Sequence, residues 1–209
     1  MRLRGWKSAS VAIGLLLGIA VLLSAAPGPP LPQAPQTAAH SITLSLDPTQ
    51  TKVHFMVDST LHTVHGTFAL KSGSLQFDPQ TGKAGGSIVV NAVSGESGNS
   101  SRDERMHKEI LETWKFAEAT FRLTQVEGQV SLNAPSDFKV RGIITLHGTD
   151  HELLATVHSE FTGEHWNGTA KFDVPYIQWG IKNPSNFLLK VKPVVNVELE
   201  MAGVAKDAK

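Results

Sequence analysis

Residues 51–57 read TKVHFMV, and their alternation decides the fold: Val53, Phe55 and Val57 fall on one face, Lys52, His54 and Met56 on the other. A segment written this way is a strand with one face buried and one wet. The pattern recurs outward along the chain, pairing Phe68 with Leu70, Leu75 with Phe77, Ile88 with Val90, Phe121 with Leu123, and Val195 with Val197 and Leu199. Turn-forming clusters separate these runs: DPQTG at 78–82, NAPSD at 133–137, HGTD at 147–150, EHWNG at 164–168 and KNPSN at 182–186. About eight strands follow, at 52–58, 63–77, 85–93, 119–130, 137–147, 152–162, 168–179 and 190–201. Many short strands with hairpin-like turns predict an all-β sandwich or barrel. One segment breaks the period. Met106, Ile110 and Trp114 recur every four positions, and Ser101 with Glu104 has capping-box spacing, which predicts an amphipathic helix over 102–114.

Composition removes several function classes. The 209 residues carry 19 basic and 19 acidic side chains, a net charge of zero, with the two signs interspersed. No basic patch of the kind nucleic acid demands is visible. There is no cysteine, so thiolate metal sites, iron–sulfur clusters, cysteine nucleophiles and disulfides are all excluded. One tyrosine against nine phenylalanines favours a hydrocarbon guest over a sugar.

The N-terminus has the layout of an export signal. Arg2, Arg4 and Lys7 precede an apolar run from Val11 to Leu23, and Ser24-Ala25-Ala26 supplies small residues for cleavage. That run is shorter than the ~20 residues a spanning helix needs, so no stable membrane span is expected after cleavage. The expected organisation is a signal peptide at 1–26, a proline-rich linker at 27–40, a β-domain at 41–203 and a tail at 204–209. The expected location is the periplasm or outside the cell.

Several motifs in order then resemble the YceI-like family of secreted, lipocalin-like, polyisoprenoid-binding proteins. VHFMV is followed by VHGTF and GSLQFD. SGNSSRD resembles a family turn, with Ser97 in a threonine position and Arg102-Asp103 kept. FAEATF has Phe116 and Ala117 where the family has tyrosine and proline; GIITLHGT keeps Gly142, Thr145 and Gly148, and IQWGI precedes the last strand. Ser59 lies near a usual histidine position and Ile143 stands where aspartate is usual, marks of a divergent member. The resemblance implies an eight-stranded antiparallel lipocalin-like barrel with one short helix, holding an isoprenoid or other long-chain lipid without catalysis.

On that reading the ligand-lining candidates are Phe55, Val57, Phe68, Leu70, Leu75, Phe77, Ile88, Val90, Phe121 and Leu123; packing of an ordinary core is the alternative for each. Arg102 at the barrel mouth could meet an oxygen-bearing headgroup through its guanidinium fork, or could serve with Asp103 to cap the helix and pin it to the rim. No catalytic residue, resident metal or cofactor is expected. His62 and His65, and His147 and His151, are spaced like ligand pairs but lack the three or four convergent groups a metal wants. No serine-hydrolase elbow, carboxylate pair or phosphate-binding glycine loop is present. A His-ligated metalloenzyme and a structural or stress-associated barrel filled by its own side chains remain as alternatives, and homodimerisation is left open.

Overall fold

The computed structural model describes residues 41–208. The expected signal peptide and linker lie outside the described residues. Nine strands run in chain order: β1 (Ser41–Leu46), β2 (Lys52–Asp58), β3 (Thr63–Phe77), β4 (Ala84–Glu96), β5 (Glu118–Glu127), β6 (Ser136–Leu146), β7 (Thr149–Thr162), β8 (His165–Val174) and β9 (Val195–Ala208). From β2 to β9 each strand pairs antiparallel with the next, and β9 returns to β2, with Phe55 opposite Val197. Closure of this ring removes every edge.

Nine strands occupy only eight positions, because β1 and β2 share one. Both lie between β3 and β9: Leu44 of β1 faces Leu75 and Ala205, while Val53 of β2 faces Phe68 and Leu199. The turn between them is built on Asp47. Its carboxylate accepts from the Thr49 backbone N–H (2.8 Å), the Thr49 hydroxyl (2.7 Å) and the Gln50 amide (2.8 Å). These bonds, led by the Thr49 hydroxyl, hold the Asp47 carboxyl below the usual range.

The structure corrects several sequence-based boundaries. Strand β1 adds to the expected eight segments. Residues 204–208, expected as a tail, continue β9 and pair with β1 over Ser41–Ser45. That stretch, VAKDA, lacks large apolar alternation; just before it β1 crosses so closely that a Cβ on Gly203 would lie 2.1 Å from the Ser45 carbonyl oxygen. Strand β8 ends at Val174 because Pro175 offers no N–H to a ladder, and the chain then turns, with Ile181 donating to the Tyr176 carbonyl at 2.9 Å.

The helix also differs from expectation. It spans α1 (Ser100–Arg105) and one wider π-turn over Met106–Ile110, where the Leu111 N–H reaches the Met106 carbonyl at 2.8 Å. Its cap is Asn99, not Ser101: the Asn99 side chain accepts from the Arg102 N–H at 3.0 Å. Glu112, at φ 45°, ends the helical run, so Trp114 falls outside it. Asp103 fastens the helix to the strand before it by accepting from the Ser97 N–H (3.0 Å) and the Ser97 hydroxyl. His147, in the two-residue turn between β6 and β7, meets Glu112 at 2.8 Å and packs its ring at a tilt against Phe116, tying the other end of the segment to the barrel. Among the described residues no helix is long and apolar enough to cross a membrane.

Two motif glycines are required by close approach of aromatic rings. A Cβ on Gly66 would lie 2.2 Å from the Phe55 ring, and one on Gly142 would lie 2.3 Å from the Arg122 carbonyl oxygen and 2.5 Å from the Phe121 ring. Gly142→Ala is therefore expected to destabilise the barrel by about 1–3 kcal/mol, read as a lower midpoint in chemical denaturation. A neutral result would mean that the strands part without cost.

Asp103 generates a pH expectation. Burial alone would push its carboxyl up, but hydrogen bonds from Ser97 and the Arg102 charge more than offset this and leave it below the usual range. A lowered folded pKa gives stability that is present above the ordinary value of about 4 and is lost as pH falls through the folded value. Asp103→Asn should thus be less stable than the parent at neutral pH, and the gap should shrink on acidification below about pH 4. Denaturation midpoints across that range check it; a gap independent of pH would remove the carboxylate charge from the account.

Candidate functional site

The inward faces of the barrel strands do not meet in the middle. They enclose a cavity of about 500 Å³, within the ~300–1,000 Å³ typical of small-molecule sites. Its wall is almost entirely hydrocarbon, because every second residue of a half-buried strand points inward. Of the candidates named from sequence, Phe55, Val57, Phe68, Leu75, Phe77, Ile88, Val90, Phe121 and Leu123 line it, as does Arg102.

Leu70 is the exception. It is buried in the core cluster but does not line the cavity. The cause is local. Strand β3 carries register shifts between Thr67 and Ala69 and between Leu70 and Ser72; even-numbered Val64 and Phe68 line the cavity ahead of the second shift and odd-numbered Leu75 and Phe77 beyond it. Leu70 sits where the phase changes.

The second half of the wall comes from residues that the sequence reading did not select. Leu153, Ala155 and Val157 of β7, Ala170 and Phe172 of β8, and Val197 and Leu199 of β9 all line the cavity. Their signal was available in the strict alternation of LLATVHSEF at 153–161. Small Ala155 and Ala170 leave room where leucine would fill it. Several lining rings, among them Phe68, Phe121 and Phe172, are only half-buried although they face inward, because the space before them is open. One end of the cavity is floored by Leu44, Phe77, Trp166 and Met201, all buried; the other reaches loop residues Ser59, Pro184, Leu189 and Val191.

Polar groups gather at that second end. Arg102 donates from Nε to the Ser97 hydroxyl and from Nη2 to the Ser97 carbonyl, both at 2.7 Å. Ser97 is thus the common partner of Arg102 and Asp103, which is the anchoring role expected for the pair. No bond to Nη1 of Arg102 is found among the described residues. Tyr176 lines the cavity with its hydroxyl buried and unpartnered among the described residues, and burial pushes its phenol above the usual value.

The histidine pairs are not drawn together. His147 is engaged by Glu112, and His151 stacks face to face on Trp179 at 4.3 Å. His65 stands opposite Met56 in the β2–β3 ladder, while His62 sits in the loop at the cavity mouth. Among the described residues no three His, Asp or Glu side chains are placed to hold a metal ion.

Comparison with known proteins agrees with this architecture. The chain is 33% identical over 129 residues to a UPF0312 protein of Shewanella oneidensis, covering 57% of this chain and 64% of that relative. A UPF0312 protein of Shewanella baltica is 32% identical over 110 residues, and the match spans about half of each chain (50% and 54%). Among solved structures, a polyisoprenoid binding domain from Saccharophagus degradans superposes with a TM-score of 0.59 at 14% identity, over 78% of this chain and 98% of that one. Burkholderia cenocepacia BcnA gives 0.64 at 13% identity, over 75% and 98%, and a Campylobacter jejuni YCEI protein gives 0.55 at 15%, over 70% and 85%. At such identities the structural likeness speaks for the fold. A family model, the YceI-like domain, matches residues 44–203, nearly the whole barrel, and the chain belongs to the YceI-like family.

Proposed function

We propose that the barrel takes up the hydrocarbon chain of an isoprenoid or similar long-chain lipid and shields it from water, as a carrier or buffer in the cell envelope, with no chemistry of its own. The observation that carries this reading is the cavity itself, about 500 Å³ of open space walled by aliphatic and aromatic side chains. Moving a methylene group from water into such a place gains about 0.8 kcal/mol, so a long chain needs no specific polar contact to bind. The fold likeness to a polyisoprenoid binding domain points the same way. In this reading Phe68, Val90 and Phe121 contact the chain, and the Nη1 of Arg102 faces whatever polar group ends it. A barrel filled by its own side chains is disfavoured by the half-buried inward rings, and a His-ligated metalloenzyme by the separate engagement of His147 and His151.

Organic extraction of the native protein followed by mass spectrometry should recover a long-chain lipid. Added isoprenoid should raise the melting temperature: a ligand at 100 times its Kd adds about 2.7 kcal/mol, at about 2–4 °C per kcal/mol for a domain of this size. Val90→Phe places a ring in the open space, and should abolish most of that shift while leaving the empty protein's stability within about 1 kcal/mol of the parent. A variant destabilised by about 1–3 kcal/mol, with no ligand-induced shift in the parent, would mean a solid barrel and overturn the proposal.

Export belongs to the same reading, because the N-terminal residues have the charge and apolar layout of a signal peptide. Sequencing of protein from the periplasmic or culture fraction should find a start close to Pro27. Recovery of full-length chain from the cytosol alone would contradict it.

A further inference from the structure

The most exposed large apolar side chains among the described residues are Phe187 (93%), Leu188 (81%), Trp114 (74%) and Leu61 (73%). All four lie at one end of the barrel. Leu61 is in the loop between β2 and β3, Trp114 follows the helix between β4 and β5, and Phe187 and Leu188 are in the loop between β8 and β9. This is the end at which the cavity reaches Ser59, Pro184, Leu189 and Val191.

The exposure of Phe187 and Leu188 is built by the turn that carries them. The Asn186 side-chain oxygen accepts from the N–H of Leu188 at 2.9 Å and of Leu189 at 2.7 Å, and the Asn186 N–H donates to the Leu189 carbonyl at 2.8 Å. Phe187 and Leu188 form the tip of this turn, while Leu189 faces the cavity. The loop is fastened on both sides. Thr60 N–H donates to the Lys190 carbonyl at 2.9 Å, and Lys182 pairs with Glu109 of the helical segment at 3.0 Å. The apolar tips are therefore held around the mouth by bonds between the three segments that carry them.

Charge distinguishes this end from the other. Residues 175–194 contain Lys182, Lys190 and Lys192 and no carboxylate, whereas the helical connection, 97–117, carries equal numbers of basic and acidic side chains. Lys192 is paired with Asp58 and Lys182 with Glu109; among the described residues Lys190 has no carboxylate partner. The strand connections at the opposite end, 47–51, 78–83, 128–135 and 163–164, carry Asp47, Asp78, Lys83 and Glu164. Exposed phenylalanine, leucine and tryptophan tips flanked by lysine match the chemistry of an anionic lipid surface, where apolar side chains enter the headgroup boundary and cations meet phosphate.

We propose that the mouth end of the barrel docks on an anionic bilayer, with Leu61, Phe187 and Leu188 entering the lipid, so that the cavity opens onto the membrane rather than onto water. This partner rests on the lipid-binding reading for its purpose, since a guest insoluble in water must come from a membrane, but its test does not depend on cavity occupancy.

Because the chain has no cysteine, one introduced residue can be labelled uniquely. Leu188→Cys at the mouth and Leu132→Cys at the opposite end, each carrying an environment-sensitive fluorophore, are mixed with phosphatidylcholine vesicles with and without phosphatidylglycerol. The label at 188 should blue-shift on vesicles containing phosphatidylglycerol, less on phosphatidylcholine alone, and the label at 132 should not respond. Replacing Phe187 and Leu61 together with serine in the first protein should weaken vesicle partition at least about tenfold, the scale expected for losing buried apolar side chains. Equal response at both positions, or none at 188, would overturn the proposal; so would a shift at 188 on raising protein concentration without vesicles, which would make the patch a contact between copies. Repeating the measurement with Val90→Phe separates the two ideas. Docking retained with lipid uptake lost supports the surface independently, whereas isoprenoid uptake from detergent without a shift at 188 would leave the carrier reading standing and remove the docking.

Discussion

An open apolar interior depends here on closure of the backbone ladder. A buried peptide group without a partner costs more than a missing apolar contact, so a barrel that is to contain space must satisfy its N–H and C=O groups within its wall. Antiparallel pairing from β2 through β9 and back to β2 does this without help from the interior. The inward side chains then need not support one another across the barrel. That is why Ala155 and Ala170 can stand in the wall as small residues and leave room.

Once the wall carries itself, the ends take the remaining duties. One end is sealed by large side chains such as Phe77 and Trp166. The other is covered by a helical segment that has no buried residue of its own and is held by polar contacts: Ser97 with Arg102 and Asp103, and His147 with Glu112. Segments held by a few exposed or half-exposed polar contacts open at lower free energy than a strand core does. On the carrier reading proposed above, the mouth is thus the part of the molecule where a guest would enter without disturbing the ladder.

Most of the barrel was legible because alternation is a strict signal. The ranges 52–58 and 63–77 read from sequence coincide with β2 and β3, and nine of the ten apolar lining candidates lie on the cavity wall. What escaped were features in which alternation is broken or unneeded. Leu70 follows the pattern up to the bulge that changes its phase, and the bulge leaves no residue-level mark. Residues 204–208, VAKDA, form a strand without a large apolar alternation, and it is pairing with β1 that extends β9 through them. The spacing of Met106, Ile110 and Trp114 implied a longer helix, but the π-turn and the left-handed Glu112 end it before the tryptophan. The outward tip at Phe187 and Leu188 falls between the expected turn at 182–186 and the expected strand from 190, and it is the Asn186 side chain that builds the turn presenting it to solvent.

The slot shared by β1 and β2 also sets an order of events. Residues Ser41–Leu46 pair with residues 203–208, so the first described strand has one of its two partners in the last described strand. Contacts of such sequence separation form late, after the intervening hairpins have brought the ends near each other. On a ribosome adding ~5–20 residues per second, β1 can pair with β3 early but waits on the order of ten seconds before its second partner, β9, exists. Until then the seam stands open and the barrel is unfinished. For a chain exported as proposed above, this timing favours passage before closure: β9 completes the container, and the container is completed on the side of the membrane where β9 arrives.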